Sequence, residues 1–146
     1  MRHYETSTTI DAPAERVWEI LSDTGSWADW DSGVVEVEGE AALGARIKIR
    51  SELNPKRAYP VKVTELEPNR RMAWLGGAPL GLFKGVRTYT LTPEGEGRTE
   101  FHMREEFSGP LLPLIWRTMP DMNDSFRQFA GGLKERAEAG VQDAPS

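Results

Sequence analysis

The chain has 146 residues, a net charge of −5 and no cysteine. This length is typical of one domain and is sufficient for a hydrophobic core that needs neither disulfides nor metal ions. The lack of cysteine excludes disulfides, thiolate metal sites and cysteine nucleophiles, and it fits a reducing cytoplasm. An acidic chain without a basic stripe lacks the footprint of a nucleic-acid-binding protein. Because no apolar run could span a bilayer and the polar N-terminus has no signal-peptide core, we expect a cytoplasmic protein without stable membrane insertion.

The N-terminal part of the sequence predicts one strand and then two short helices. Residues 3–10 alternate and are rich in β-branched residues, which is typical of a strand. An acidic residue and a proline at 11–13 indicate a helix start, and an apolar face at 17–21 continues it. Residues 26–30 fit either a second helical turn or a loop.

The middle of the chain carries six further strand signals, at 34–38, 46–50, 59–67, 71–75, 86–91 and 99–107. Alternation of apolar and charged residues is the main indication. Short turns link the segments, and 76–85 reads as a glycine-rich loop. Strands that follow one another through short turns favour an antiparallel meander.

The C-terminal part changes to a helical period. Apolar residues recur at steps of three and four: Leu112, Ile115, Met119, Met122, Phe126, Phe129 and Leu133. This stripe predicts one long amphipathic helix over 111–138, about 42 Å long at ~1.5 Å per residue. Pro120 should kink or break it. Gly131 and Gly132 indicate either a close approach of the helix backbone to the sheet, which we favour, or a helix that yields to admit a ligand.

These elements together predict an α+β fold. We expect a single domain over 1–140, in which a curved antiparallel sheet of six or seven strands wraps around the C-terminal helix, and a disordered tail at 141–146. A sheet that curls around one helix leaves space at its open end unless large side chains fill it.

Several segments resemble one known superfamily. The run Ile10–Trp18 (IDAPAERVW) and the residues that follow it resemble the N-terminal signature of the START/Bet v 1-like superfamily, in its polyketide-cyclase-like SRPBCC branch; the later signature positions are Leu21, Asp23, Trp27 and Trp30. The segments 67–74 (EPNRRMAW), 105–111 (EEFSGPL) and 132–134 (GLK) resemble later parts of the same branch, in the same order.

The resemblance implies a helix-grip fold with a deep cavity for lipids, sterols, polyketides or other hydrophobic molecules. Members of the superfamily include ligand carriers, aromatase/cyclases and co-chaperone-like activators, so the resemblance implies no single activity. Within the branch, the sequence looks nearest to uncharacterised bacterial members. No cofactor is implied, because the Rieske-type Cys/His motifs of related oxygenases require cysteine.

The last strand carries the most informative polar residue. Glu105 shares its parity with apolar residues, and a buried carboxylate is costly unless it is paired. On the preceding strand Arg87 shares its parity with Tyr89. We therefore predict an inward-facing Arg87–Glu105 pair that holds the polar end of a ligand. The alternative is that Glu105 lies at the mouth end of its strand and contacts water.

The predicted ligand-binding residues are this pair and the large inward-facing side chains around it: Trp30, Trp74, Arg87, Tyr89, Phe101, Met103, Glu105, Met119, Met122 and Phe126. Each apolar member has an alternative role as ordinary core. His3 and His102 fall on different strands and have no partner for a triad or a metal site. No metal site is predicted.

Three functions are compatible with this pattern. The first is non-enzymatic binding of a small hydrophobic ligand, lipid or polyketide-like, between the sheet and the C-terminal helix. The second is a cyclase, dehydratase or hydrolase in which Glu105 is the acid/base and Arg87 the oxyanion partner. The third is an interaction module with a filled interior. We favour the first, and the sequence makes no prediction of oligomeric state.

Overall fold

Alternating residues build a seven-stranded antiparallel sheet in the computed structural model, which describes residues 2–119 and 121–142. The strands are β1 (Arg2–Ile10), β2 (Val34–Glu38), β3 (Arg46–Ser51), β4 (Ala58–Glu67), β5 (Arg71–Gly77), β6 (Lys84–Pro93) and β7 (Thr99–Ser108). The helices are α1 (Ala14–Ser22), α2 (Leu112–Thr118) and α3 (Asn123–Gln142), and shorter 3₁₀ segments span Thr24–Asp29 and Pro79–Gly81. The predicted α+β helix-grip architecture is confirmed.

The strands lie in the order β1-β7-β6-β5-β4-β3-β2, so the meander from β2 to β7 is completed by the first strand pairing with the last. One row of directly opposed residues crosses five strands: Tyr4, Glu105, Arg87, Trp74 and Val63. Since Trp74 and Val63 are almost completely buried, this row lies on the concave, inner face of the sheet.

The predicted glycine-rich loop at 76–85 is shorter in the structure. Gly76 pairs with Gly85 and Gly77 with Lys84, so β5 and β6 extend into it and only 78–83 remain as a connection. Alternation does not mark these residues, because glycine carries no side chain that could show which face it occupies.

The C-terminal stripe over 111–138 is divided between two helices, because α2 ends at Thr118 and α3 begins at Asn123; the break expected in the middle of the stripe is present. The backbone of Met119 is extended, with φ −72° and ψ 132°. A residue that precedes a proline is driven out of the helical region by a clash with the proline ring. Pro120, the predicted breaking point, lies outside the described residues.

Helix α3 covers the concave face with one apolar stripe: Phe126, Phe129, Leu133 and Ala137. The predicted close approach occurs at Gly132 but is made to the segment after the first 3₁₀ turn and not to the sheet. A Cβ at Gly132 would lie 2.0 Å from the carbonyl oxygen of Asp31, whereas one at Gly131 would meet nothing within 4 Å.

Two further expectations concern the C-terminal tail and membrane-spanning helices. Helix α3 continues to Gln142, and 143–146 lie outside the described residues, so the tail expected at 141–146 stays a prediction. Within residues 2–119 and 121–142, no helix combines the length and the apolar composition required to cross a bilayer.

Candidate functional site

The centre of the candidate site is an ion pair on the inner face of the sheet. Arg87 of β6 and Glu105 of β7 are direct cross-strand partners, and the Nε of Arg87 donates a 2.7 Å hydrogen bond to Oε1 of Glu105. The side chains are 20% and 15% exposed, respectively. The inward-facing pair predicted from parity is therefore present, and its carboxylate is mostly screened from water.

Two aromatic residues complete the surroundings of Arg87. Its guanidinium carbon lies 5.0 Å from the ring centroid of Phe126 on α3, which is a cation–π distance. Its NH1 group makes a long contact of 3.5 Å with the hydroxyl oxygen of Tyr89. Burial alone would lower the pKa of Arg87, but Glu105 and Tyr89 outweigh burial and hold that pKa above its ordinary value. Arg87 is therefore a permanent cation in this wall.

Tyr89 gives the site a measurable pH signature. Burial raises the pKa of its hydroxyl to about 12, although the nearby Arg87 acts in the opposite direction. The unfolded chain releases this proton near pH ~10, so the folded state holds it more tightly above that pH. Stability from this group is complete below pH ~10 and should be lost as pH rises towards ~12. We expect the Tyr89→Phe variant to lose less stability over that interval in urea unfolding, and to lack a phenolate absorbance step near pH ~12. Equal pH dependence in both proteins would contradict this assignment.

Beside the pair, five aromatic rings fill much of the space between the sheet and α3: Trp27, Trp74, Tyr89, Phe101 and Phe129. Trp27 lies at their centre, with ring centroids 5.3 Å from Trp74 and 4.8 Å from Phe129. Tyr89 joins this group to Phe101 at 6.2 Å. The side chain of Trp27 is buried and anchors the 3₁₀ segment to the core.

The open end of the grip is closed by a second aromatic group, which we term the mouth cluster: Tyr4, Phe83, Phe107 and Trp116. Trp116 of α2 stacks on Tyr4 at 5.3 Å, and Phe83 stacks on Phe107 at 5.9 Å. Tyr4 is the direct neighbour of Glu105 on β1. The mouth cluster thus adjoins the ion pair on the inner face of the sheet.

Helix α2 makes few buried apolar contacts with the rest of the fold. Leu112 is its one buried residue, while Leu114 is 65% exposed. Elements with few buried apolar contacts open at low free-energy cost. Displacing α2 would carry Trp116 away from Tyr4 and expose the inner face near the ion pair.

Some of the other predicted site residues lie beside the ion pair or the core around it, and others lie apart from it. Met103 is buried beside Tyr89 across the strand pair, and Met122 is half-buried against the core. Met119 is half-buried at the end of α2, and Trp30 packs on Trp27 and Phe129, away from the ion pair. The structure therefore brings Arg87, Tyr89, Glu105 and Phe126 into one contact group, next to Trp74, Phe101 and Met103.

Two buried indole groups have unused hydrogen-bonding capacity. The Nε1 atoms of Trp30 and Trp74 have no acceptor among the described residues. Leaving such a donor unsatisfied costs about 1–3 kcal/mol. Trp74 is the direct cross-strand partner of Arg87, so this donor lies next to the candidate site.

Both histidines lie on the outer face and contact one carboxylate. His102 Nε2 lies 2.9 Å from Oε2 of Glu5, and His3 Nε2 lies 3.6 Å from Oε1 of the same residue. His102 and Arg104 hold the pKa of Glu5 below its ordinary value. The described part of the chain contains no group of three or more His, Asp or Glu side chains placed to bind a metal ion.

Comparisons with known proteins agree with the fold. Residues 1–138 match the family described as polyketide cyclase / dehydrase and lipid transport. Oxopyrrolidines biosynthesis cluster protein O of Penicillium oxalicum is 30% identical over 131 residues; the match covers 73% of this chain and 62% of that protein. This chain therefore spans less than two thirds of that curated relative.

Two solved structures show the same architecture. The Zhui aromatase/cyclase from Streptomyces sp. R1128 superposes with a TM-score of 0.75 at 18% identity, over 99% of this chain and 98% of that one. A START superfamily protein from Mycobacterium smegmatis gives a TM-score of 0.71 at 15% identity, over 94% and 97% of the two chains. At these identities the likeness concerns the fold alone.

Proposed function

This chain belongs to the polyketide cyclase/dehydrase and lipid transport family, and we propose that it binds a small hydrophobic ligand, lipid or polyketide-like, beside the Arg87–Glu105 pair. The pair itself carries this proposal. A largely buried ion pair is weak evidence for stability, because desolvation offsets most of the Coulomb attraction. A charged pair in an otherwise apolar inner wall is better explained by a ligand whose polar end it orients.

The surroundings of the pair define what such a ligand must offer. Its polar end would meet the guanidinium of Arg87 and the hydroxyl of Tyr89, and an oxygen acceptor could satisfy the indole N–H of Trp74. Its apolar body would lie against Phe126 and the mouth cluster. Because the five rings fill the interior beyond, room for the ligand requires α2 to move outward.

The test is native mass spectrometry of freshly purified protein, followed by extraction and identification of any bound compound. We expect a hydrophobic molecule with at least one oxygen acceptor to co-purify. The Glu105→Gln variant should retain less of it and bind it more weakly in titration. Glu106→Gln is the matched control, since Glu106 lies on the outer face of the same strand beside Arg104. If Glu105→Gln and Glu106→Gln bind the compound like the parent protein, the ion pair has no role in binding.

A cyclase or dehydratase activity is the second candidate, and the contact group around Arg87 favours it. In that case Glu105 would transfer a proton and Arg87 would stabilise an oxyanion on the substrate. Turnover of the co-purified compound, abolished in Glu105→Gln although binding persists, would support the enzyme over the carrier.

The filled interior supports a third candidate, an interaction module, which predicts that no compound co-purifies at all.

A further inference from the structure

Four exposed leucines lie together at the mouth end of the fold: Leu80, Leu82, Leu111 and Leu114. Their exposed fractions are 97%, 41%, 36% and 65%, respectively. The first two belong to the β5–β6 connection, and the other two lie at or just before α2. A hydrogen bond of 2.9 Å from the backbone N–H of Leu111 to the carbonyl oxygen of Leu82 joins the two segments. We term this surface the leucine patch.

The backbone under the leucine patch is fixed. A Cβ at Gly77 would lie 2.2 Å from the carbonyl oxygen of Phe83, and a Cβ at Gly109 would lie 2.6 Å from that of Leu82. These close approaches hold the base of the connection. Leu80 has a φ of +61°, in the left-handed region that a leucine rarely adopts. A strained backbone that presents an apolar side chain to water brings no benefit to the isolated protein.

A basic depression adjoins the leucine patch. It has a volume of about 350 Å³, and Gly81 and Phe83 of the same connection form part of its wall. Three cations line it: Arg46, Lys62 and Lys84. No ion pair involving any of them occurs in the described part of the chain, whereas most other arginines there contact a carboxylate.

Two of the charges in this depression lie close enough to repel each other. Arg46 of β3 and Lys62 of β4 are direct cross-strand partners, and like charges in that position destabilise a sheet. The chain as a whole carries a net charge of −5, so a cluster of unneutralised cations does not follow from its composition.

We propose that the mouth end of this protein docks on a phospholipid bilayer with anionic headgroups. The leucine patch enters the apolar side of the interface, and Arg46, Lys62 and Lys84 face the headgroup phosphates. Proteins that present apolar side chains flanked by lysine and arginine bind at the boundary between acyl chains and anionic headgroups. The proposal goes beyond ligand binding and does not depend on it.

The first test is co-sedimentation of the purified chain with vesicles of phosphatidylcholine, with and without phosphatidylglycerol. We expect binding to the phosphatidylglycerol vesicles that weakens as salt is added. Leu80→Asp should weaken it by roughly tenfold or more, because it removes apolar contact and adds repulsion. Leu43→Asp is the matched control: Leu43 is 69% exposed but lies in the β2–β3 connection, outside the leucine patch. Equal binding by these two variants, or no binding by the parent, would overturn the proposal.

The second test separates headgroup contacts from other roles of the cations. Lys62→Ala and Lys84→Ala should each weaken vesicle binding by roughly fivefold. Lys48→Ala should not, because Lys48 lies directly opposite Glu38. Inorganic phosphate should not displace the protein from vesicles; if it does so below screening concentrations, the depression is a small-anion site and the docking proposal is wrong.

A dimer in solution that Leu80→Asp dissociates, without vesicle binding, would assign the leucine patch to a second copy of the chain. Glu105→Gln should dock normally, so a failure of ligand binding is distinguishable from a failure of docking.

Discussion

A Trp27→Ala variant is expected to lose about 3–5 kcal/mol of unfolding free energy. The ring is 1% exposed and contacts four other aromatic rings. Its indole N–H donates to the backbone carbonyl of Leu21 at 3.2 Å, so the substitution removes a hydrogen bond as well as packing. Urea unfolding followed by circular dichroism measures the difference.

Trp116→Ala is the control for this experiment, because Trp116 is also stacked on an aromatic ring but is half-buried in the mouth cluster. The Trp116→Ala variant should lose clearly less unfolding free energy than Trp27→Ala, because the side chain of Trp116 removes less apolar area from water on folding. A Trp27→Ala loss equal to or below that of Trp116→Ala would mean that the interior is looser than the structure shows. That outcome would also favour a ligand cavity that exists before α2 moves.

The fold was predictable because its signals are local. Strands with a period of two residues and a helix with a period of 3.6 leave different patterns, and short turns between strands restrict the topology. The inward direction of Arg87 and Glu105 was predictable for the same reason. Each of the two residues alternates in step with apolar residues of its own strand, and the two strands are adjacent. The short turn predicted between β6 and β7 makes these two strands neighbours, so that inward-facing residues on them can meet.

What the sequence did not reveal depends on contacts between distant segments. Tyr4 lies beside Glu105 because the first and last strands pair, and no local pattern encodes that pairing. Trp27 lies in a segment too short for periodicity, so its central position was open. The leucine patch was also hidden, since the exposure of Leu80 and Leu114 depends on how two connections fold against each other.

The second large effect is expected at the ion pair. Arg87→Met and Glu105→Leu should each lower the unfolding free energy by about 3 kcal/mol, the lower end of the range for buried pairs, because each leaves a charge without its partner. The residual exposure of 15–20% places them at that end. The double variant Arg87→Met/Glu105→Leu should recover to within about 1 kcal/mol of the parent, since neither charge then remains buried. Urea unfolding of the four proteins gives the coupling energy directly.

The double variant also separates stability from binding. If it folds as stably as the parent but no longer retains the co-purified compound, the pair serves the ligand and not the fold. If instead the double variant is as unstable as the sum of the single variants, the two side chains act independently and the pair is no coupled unit. Retention of the compound by a stable double variant would remove the argument for placing the polar end of the ligand at Arg87 and Glu105. The ligand would then have to be sought elsewhere on the inner face, beginning with the unsatisfied indole of Trp74.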